Sequence, residues 1–293
     1  MNKSLFAGLS LLVLLAACKN EIETPNGLKY RILKAGNGQT ARPGEFIVFD
    51  WQLKDSNDSI WQQTAEQGIP AAAQIADSSQ LDMEDGLTQM LRMLSVGDSV
   101  RTDMSLREYY NLGGRGVPPG MDTTLTLTFF VKVQNVLQEE AFQAFMEDAF
   151  TKREARVHEK EAKEIGDYLA SKNLEAAVDT SGLQYTIHNN AGGRKPSLDD
   201  CVEVKYTASF LKTGEVFQVA DRIAFPLDGV IPGWKIAVPL LGKGDSGTFY
   251  IPSKLAYGPR GYPPTIPPDA VLVFNVTLLE VANEFDNTTN KCK

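Results

Sequence analysis

Histidine and cysteine most often supply a nucleophile, base or metal ligand near neutral pH, and here they are few. His158, His188, Cys18, Cys201 and Cys292 are all that occur in 293 residues. No Cys-x-x-Cys spacing is present, so no metal site is expected, and a histidine-dependent triad lacks its parts. His158 falls in a charged helix-like stretch and His188 in a strand-like one, and both read as solvated. The C-terminal third instead gathers aromatic and branched apolar residues beside prolines and glycines. They are Val230-Ile231-Pro232-Gly233-Trp234, Ile251-Pro252, Ala256-Tyr257-Gly258, Ile266-Pro267-Pro268 and Leu272-Val273-Phe274. For any one of these aromatics, core packing is the simpler account. Their joint occurrence in a fixed order is what needs explaining.

Positioning such a set requires a scaffold, and the chain carries its plan twice. Asn26-Gly27-Leu28-Lys29-Tyr30 matches Ser181-Gly182-Leu183-Gln184-Tyr185, and Leu94-Ser95-Val96-Gly97-Asp98-Ser99 matches Leu241-Gly242-Lys243-Gly244-Asp245-Ser246. Arg115-Gly116-Val117-Pro118-Pro119 matches Arg260-Gly261-Tyr262-Pro263-Pro264. The matches keep one order, so two copies of a domain of about 110 residues are expected, too few and too long for a solenoid.

Between the copies, Leu137 to about Ser171 reads as one helix, free of proline and rich in Glu, Lys, Ala and Arg. Phe142, Phe145 and Ala149 share a face at its start, and Ile165, Tyr168 and Leu169 share one at its end. Thr151 to Glu164 is almost wholly charged, with Glu159 and Lys163 in the favourable i,i+4 order. The expectation is a spacer of roughly 50 Å, docked at both ends and solvated at its centre. A dimer-forming coiled coil is the alternative, although the charged centre lacks an apolar seam. Asn173 to Thr180 then loosens into a linker. In the second copy Val202, Val204, Tyr206, Ala208 and Phe210 alternate as a half-buried strand does. Val271 to Leu279 is a denser strand, and Gly233 to Leu241 reads as a short helix trimmed by Pro239. The expected fold class is α+β, with two domains, each an antiparallel sheet wrapped on a short helix, joined by a long α-helix.

In order and spacing, the motifs of the second copy resemble those of the FKBP-type prolyl isomerases, from about Gly182 to Val281. The resemblance implies FKBP-like domains at 27–136, in degenerate form, and at 179–283, with a helical linker at 137–178 and a polar tail at 284–293. It implies peptidyl-prolyl cis-trans isomerisation, no cofactor, and proline-containing unfolded polypeptides as partners. It makes Trp234 the pocket floor, and Tyr206, Phe217, Val230, Ile231, Tyr257 and Phe274 the walls, with Ile266 beside them. The Ile231 N–H and the Tyr257 hydroxyl match the family's substrate-orienting donors, and Tyr262 lies over the pocket. Where the family has Phe-Asp this chain has Phe217-Gln218, which keeps hydrogen-bonding capacity but loses the charge, and reduced turnover is expected. In the first copy Trp61, Gln62 and Phe129 stand for Phe217, Gln218 and Phe274. Val48, Leu87 and Leu112 are expected in place of Tyr206, Trp234 and Tyr257. The first copy therefore reads as an inactive binding or dimerisation domain, and a homodimer is one arrangement it would allow. A non-catalytic binding protein on the FKBP scaffold is the alternative function.

Composition sets the outer bounds. With 43% hydrophobic and 23% charged residues the chain has material for a core in each domain and is neither disordered nor collagen-like. Lys plus Arg number 29 against 37 for Asp plus Glu, a net charge of -8, and an acidic chain without a basic stripe is not expected to bind nucleic acid. At the N-terminus, Lys3 precedes an apolar run from Leu5 to Ala17, too short to span a bilayer as a helix. It ends Leu15-Ala16-Ala17-Cys18, which resembles the lipobox of bacterial lipoprotein signal peptides. The resemblance implies a signal peptide at 1–17, a lipid anchor on Cys18, a tether at 18–26 and the cell envelope as location; Asn20 favours the outer membrane. Cys201 and Cys292 are expected as independent thiols, because the tail that carries Cys292 is polar with no evident reason to dock.

Overall fold

The computed structural model describes residues 21–293 except 78, 80–82, 113–115 and 287, so the signal segment, Cys18 and Asn20 lie outside the described residues. The chain forms two compact units that meet in sequence at Arg153 and Glu154. The first contains β1 (Glu21–Glu23), β2 (Lys29–Lys34), β3 (Phe46–Asp55), β4 (Ile60–Gln63), α1 (Thr64–Gln67) and β5 (Ala71–Gln74). These are followed by α2 (Gly86–Met93), β6 (Ser99–Ser105), α3 (Leu106–Leu112) and β7 (Thr126–Leu137), and by the start of α4 (Glu139–Lys172). The sheet is antiparallel in the order β1-β2-β6-β7-β3-β4, with β5 also paired to β3. Its inner face buries Ile47, Phe49, Val100, Val131 and Val133 against Met90 and Leu91 of α2. That helix starts where Asp85 accepts the Thr88 N–H at 2.8 Å, a side-chain N-cap.

The second unit contains β8 (Ala177–Val178), β9 (Gln184–Ile187), β10 (Cys201–Phe210), β11 (Val216–Pro226) and α5 (Pro232–Ala237). It continues with β12 (Ser246–Ile251), β13 (Leu272–Ala282), β14 (Phe285–Asp286) and β15 (Lys291–Cys292). Its main sheet is also antiparallel, in the order β8-β9-β12-β13-β10-β11, strand for strand the order of the first unit. On β13 the alternation works as expected, with Leu272, Phe274, Val276 and Leu278 buried in one cluster with Trp234 and Ala237 of α5. Pro232 opens α5 at a position where its missing N–H costs nothing, and Pro239 falls in the 3-10 turn Val238–Leu240 that ends it.

Both units use one turn to fasten the strand that follows the short helix. Gly97 and Gly244 sit at φ +91° and +92°, a conformation that side chains strain. Asp98 then accepts N–H groups from Gly36 and Ser95, each at 2.6 Å, and Asp245 accepts them from Ala191 at 2.5 Å and Gly242 at 2.8 Å. These two N–H donors, with Lys195 nearby, hold the Asp245 carboxyl below the ordinary carboxylate range. A depressed carboxylate stabilises fully above its unfolded pKa and loses that stabilisation as pH falls through the folded value. Thermal melts between about pH 6 and about pH 3 should therefore show the Asp245→Asn midpoint lower at the upper pH but less pH-dependent than wild type. Parallel curves would refute this role.

Three expectations need correction. The described part of the tether at 18–26 is docked rather than free, since Glu21–Glu23 pairs with β2 and Thr24 is buried, its N–H bonded to the Leu28 carbonyl. The centre of α4 is not wholly solvated. Arg153, 7% exposed, donates Nε to the Gln67 carbonyl at 2.6 Å in the first unit, and Glu161 is buried in the second. Along the same stretch the ion pair at Lys163 is with Asp167, at 2.6 Å, a turn further on than Glu159 would be back. Finally, the cysteines are not independent. Cys201 and Cys292 form a disulfide with Cα atoms 5.4 Å apart, and the tail 284–293 folds as the β14–β15 hairpin. Among the described residues no helix is long and apolar enough to cross a membrane.

Candidate active site

The inner face of the second sheet ends in an aromatic cluster assembled from four elements. Tyr206 comes from β10, Phe217 and Phe225 from β11, Trp234 from α5 and Phe274 from β13. Trp234 is the hub. Its ring centroid lies 5.1 Å from Tyr206, 5.3 Å from Phe225 and 5.3 Å from Phe274, each steeply inclined to it. Such edge-to-face contacts are the favoured geometry for aromatic pairs. Phe217 meets Phe274 edge-on at 6.4 Å. The indole can sit this close because residue 233 is glycine: a Cβ there would lie 2.4 Å from Ile251 Cγ2.

A bulge puts two consecutive residues of β11 at the rim. Ala208 faces Gln218 and Ser209 faces Val216, so Phe217 is the extra residue of the strand. The ring of Phe217 is half-buried, while Gln218 is exposed. Val230 and Ile231 pack against the same core, Ile266 is buried in it, and Ile231 caps α5 with its carbonyl accepting the Trp234 N–H at 2.9 Å. Among the described residues no protein acceptor is paired with the Ile231 N–H, which leaves it available to a ligand. Tyr257, 36% exposed, stacks obliquely on Tyr262, 62% exposed, at 5.7 Å. Burial pushes the Tyr206 and Tyr257 phenols up, reinforced for Tyr206 by Tyr257 and for Tyr257 by Tyr262, so both hydroxyls stay protonated donors. The whole is a largely buried aromatic cluster with donors at its edge.

Of the nine residues expected here, Tyr206, Phe217, Val230, Ile231, Trp234, Ile266 and Phe274 share one cluster, and Tyr257 and Gln218 are the exposed ones. Phe225 was not anticipated, nor was Phe210, whose ring lies 4.7 Å from Phe217. Phe225 could have been found from strand β11, where it falls opposite Val202 of β10.

In the first unit the sheet register corrects one assignment. Phe129 faces Leu53 and Val131 faces Trp51, as Phe274 faces Ala208 and Val276 faces Tyr206, so Trp51, three places on from Val48, stands for Tyr206. Val48 corresponds to Glu203 and is buried. The bulges of the long strands fall at matching places in the two units, at Val48/Phe49 and Glu203/Val204, so they leave this correspondence unchanged. Trp61 is the bulged residue of β4; Asp55 Oδ2 accepts its indole N–H at 3.0 Å, and its ring meets Tyr109 edge-on at 6.3 Å. Leu87 does replace Trp234, and Leu53 fills the place of the smaller Ala208. Trp51 stacks on Phe129 at 5.1 Å and Tyr110 donates to the Met121 sulfur at 3.1 Å. The first unit is thus as aromatic as the second but differently packed.

Comparisons with known proteins agree with this geometry. The family model of the FKBP-type peptidyl-prolyl cis-trans isomerase matches residues 192–279. An FKBP-type peptidyl-prolyl cis-trans isomerase FkpA of Aeromonas hydrophila is 31% identical over 226 residues, covering 74% of this chain and 82% of that protein. A probable FkpA of Neisseria meningitidis serogroup B is 36% identical over 162 residues, covering 52% of this chain and 58% of its own length. The outer membrane protein MIP of Legionella longbeachae is 32% identical over 176 residues, covering 57% and 73%. With one relative above three-tenths identity matched over most of its length, and with the recess lying inside the matched segment, the chain belongs to the FKBP-type peptidyl-prolyl cis-trans isomerases.

Proposed function

We propose that this prolyl isomerase assists the folding of exported proteins in the cell envelope, with catalysis confined to the second unit. The observation that carries the reading is the closed ring set around Trp234, with the Ile231 N–H unpaired beside it. Turning a peptide bond requires breaking amide resonance, about 18–20 kcal/mol. At the twisted midpoint the carbonyl loses polarity, so a recess that excludes water favours that state over the planar, hydrated one. The proline ring would rest on Trp234 between Tyr206, Phe217 and Phe274, and the Ile231 N–H and Tyr257 hydroxyl would hold the flanking carbonyls. Proton transfer is not needed at any step.

Gln218 at the rim sets the rate in this reading. The purified chain should accelerate X–Pro isomerisation in a short peptide, and Gln218→Asp should raise kcat/KM several-fold by restoring a charge to the rim. If the wild type is inert and Gln218→Asp is active, the recess serves binding alone, which is the reading that the neutral rim favours. If both are inert, catalysis in this recess is excluded.

The first unit, with Leu87 for the floor, acts in this scheme as a binding or dimerisation domain for unfolded clients or for a second chain. A lipid on Cys18 would hold the protein at the outer membrane after removal of residues 1–17, and a lipid anchor needs no spanning helix. The Cys201–Cys292 disulfide fits an oxidising compartment. Cys18→Ser should move the protein from the membrane fraction to the soluble fraction; unchanged partition would remove the anchor.

A further inference from the structure

Glu161 is an acidic side chain that the pocket does not use, yet it is only 3% exposed. It projects from α4 onto the loop that follows β12, where its Oε2 accepts the backbone N–H of Ser253 at 3.1 Å. Ser253 is itself 2% exposed, so without this acceptor its N–H would be buried and unpaired. The bond sits at the root of a short segment. Ser253–Leu255 is a 3-10 turn closed by Leu255 N–H to Pro252 and Ala256 N–H to Ser253, and Tyr257 follows directly. The far side of Tyr257 is fixed as well, because the Gly258 carbonyl accepts the Asp269 N–H at 3.0 Å. Tyr257 therefore hangs between two backbone anchors, and the nearer one is made by a residue outside both the pocket and the sheet.

We propose that Glu161 is a positioning residue for Tyr257, holding the Ser253–Leu255 turn so that the phenol reaches the substrate carbonyl; this rests on the role given to Tyr257 above. Glu161 occupies the stretch of α4 whose charged sequence suggests nothing but a solvated surface. Its setting is unusual for a carboxyl group. Burial, followed by the charges of Asp269 across the contact and Glu164 on the same helix, pushes it above the ordinary carboxylate range, against the pull of its bonds to Ser253. His158, three residues before Glu161 on the helix, and Lys254, next to Ser253 in the chain, both lie over Gly182.

The test is a mutant cycle on the full chain. Isomerisation of an X–Pro peptide is measured for wild type, Glu161→Ala, Glu161→Gln, Tyr257→Phe and the Glu161→Ala/Tyr257→Phe double variant. Amide NMR signals of Ser253, Tyr257 and Gly258 are recorded beside those of Phe249 in the core. Glu161→Ala should lower kcat/KM by about tenfold and shift the Ser253 and Tyr257 amides while Phe249 stays. Glu161→Gln, which keeps an acceptor oxygen, should retain most of the rate. In the Tyr257→Phe background Glu161→Ala should cost nothing more, because there is no hydroxyl left to place. Equal losses in both backgrounds, or amides at Ser253 and Tyr257 that do not move, would overturn the proposal. Should wild type itself prove inert, the isomerase reading falls, and the amide shifts alone decide whether Glu161 places Tyr257.

Discussion

Cys292→Ser lowers the unfolding free energy of the second unit by about 2–4 kcal/mol, the range typical of a native disulfide. The bond closes a loop of 91 residues between the start of β10 and the chain's end, so the unfolded ensemble that it restricts is large. It also fastens a tail whose two short strands lie against β10, β11 and β13. The β14–β15 hairpin has two paired positions, Phe285 with Cys292 and Asp286 with Lys291, extended by backbone bonds between Glu284 and Lys293. An isolated hairpin of that size is not stable in water. Among its polar ties, the mostly buried Asp286 carboxylate meets Lys293 Nζ and accepts the Thr288 N–H, both at 2.9 Å, all within the tail itself. Denaturant unfolding of wild type with and without reductant, beside Cys292→Ser, checks this. Reduced wild type and the variant should share one lower midpoint, with the protection of tail amides from exchange lost in both. If reduction leaves the midpoint unchanged, the tail does not stabilise the unit.

Trp234→Ala produces the other large effect, and it falls on activity and stability together. The indole contacts Tyr206, Phe225 and Phe274, and all three lose their shared surface when it is truncated. Aromatic-to-alanine changes in cores cost about 3–5 kcal/mol, and a cavity at a pocket floor also admits the water that the recess must exclude. The rate should fall by more than an order of magnitude in kcat/KM. Because a destabilised variant can lose rate for an uninteresting reason, Trp234→Leu separates the two effects. Leucine is what the first unit carries at Leu87, where its sheet folds around it. Trp234→Leu should therefore keep a cooperative melt yet lose most of the rate. A Trp234→Leu variant as fast as wild type would show that the floor does not select the twisted state.

The two results bear on different links between sequence and function. The disulfide and the turn carboxylates at Asp98 and Asp245 maintain the sheet; Trp234 and its neighbours use it. Glu161 joins the two by tying a helix to the loop that carries Tyr257.

Much of this was legible in the sequence because it depends on local pattern. Alternation at Val202 to Phe210 and Leu272 to Leu278 fixed which residues face inward, since a strand has no other way to divide its side chains. The order of the motifs around Trp234 and Tyr257 pointed to the recess through their resemblance to those of the FKBP-type prolyl isomerases. The long helix was legible from composition, ending at Lys172, where Asn173 takes φ +51°. What only the tertiary structure decided depends on encounters between distant segments. Cys292 meets Cys201 across 91 residues, and nothing in a polar tail announces that partner. Trp51 takes the place of Tyr206 in the first unit because it pairs with Val131 as Tyr206 pairs with Val276, and a register is set by how two strands pair rather than by either alone. Glu161 and Arg153 look like solvated charges along a helix, and they are buried because the surfaces that cover them come from residues far away in sequence, Ser253 and Gln67. Burial is a property of the assembled fold, so a charged residue's role can be read only once its neighbours are in place.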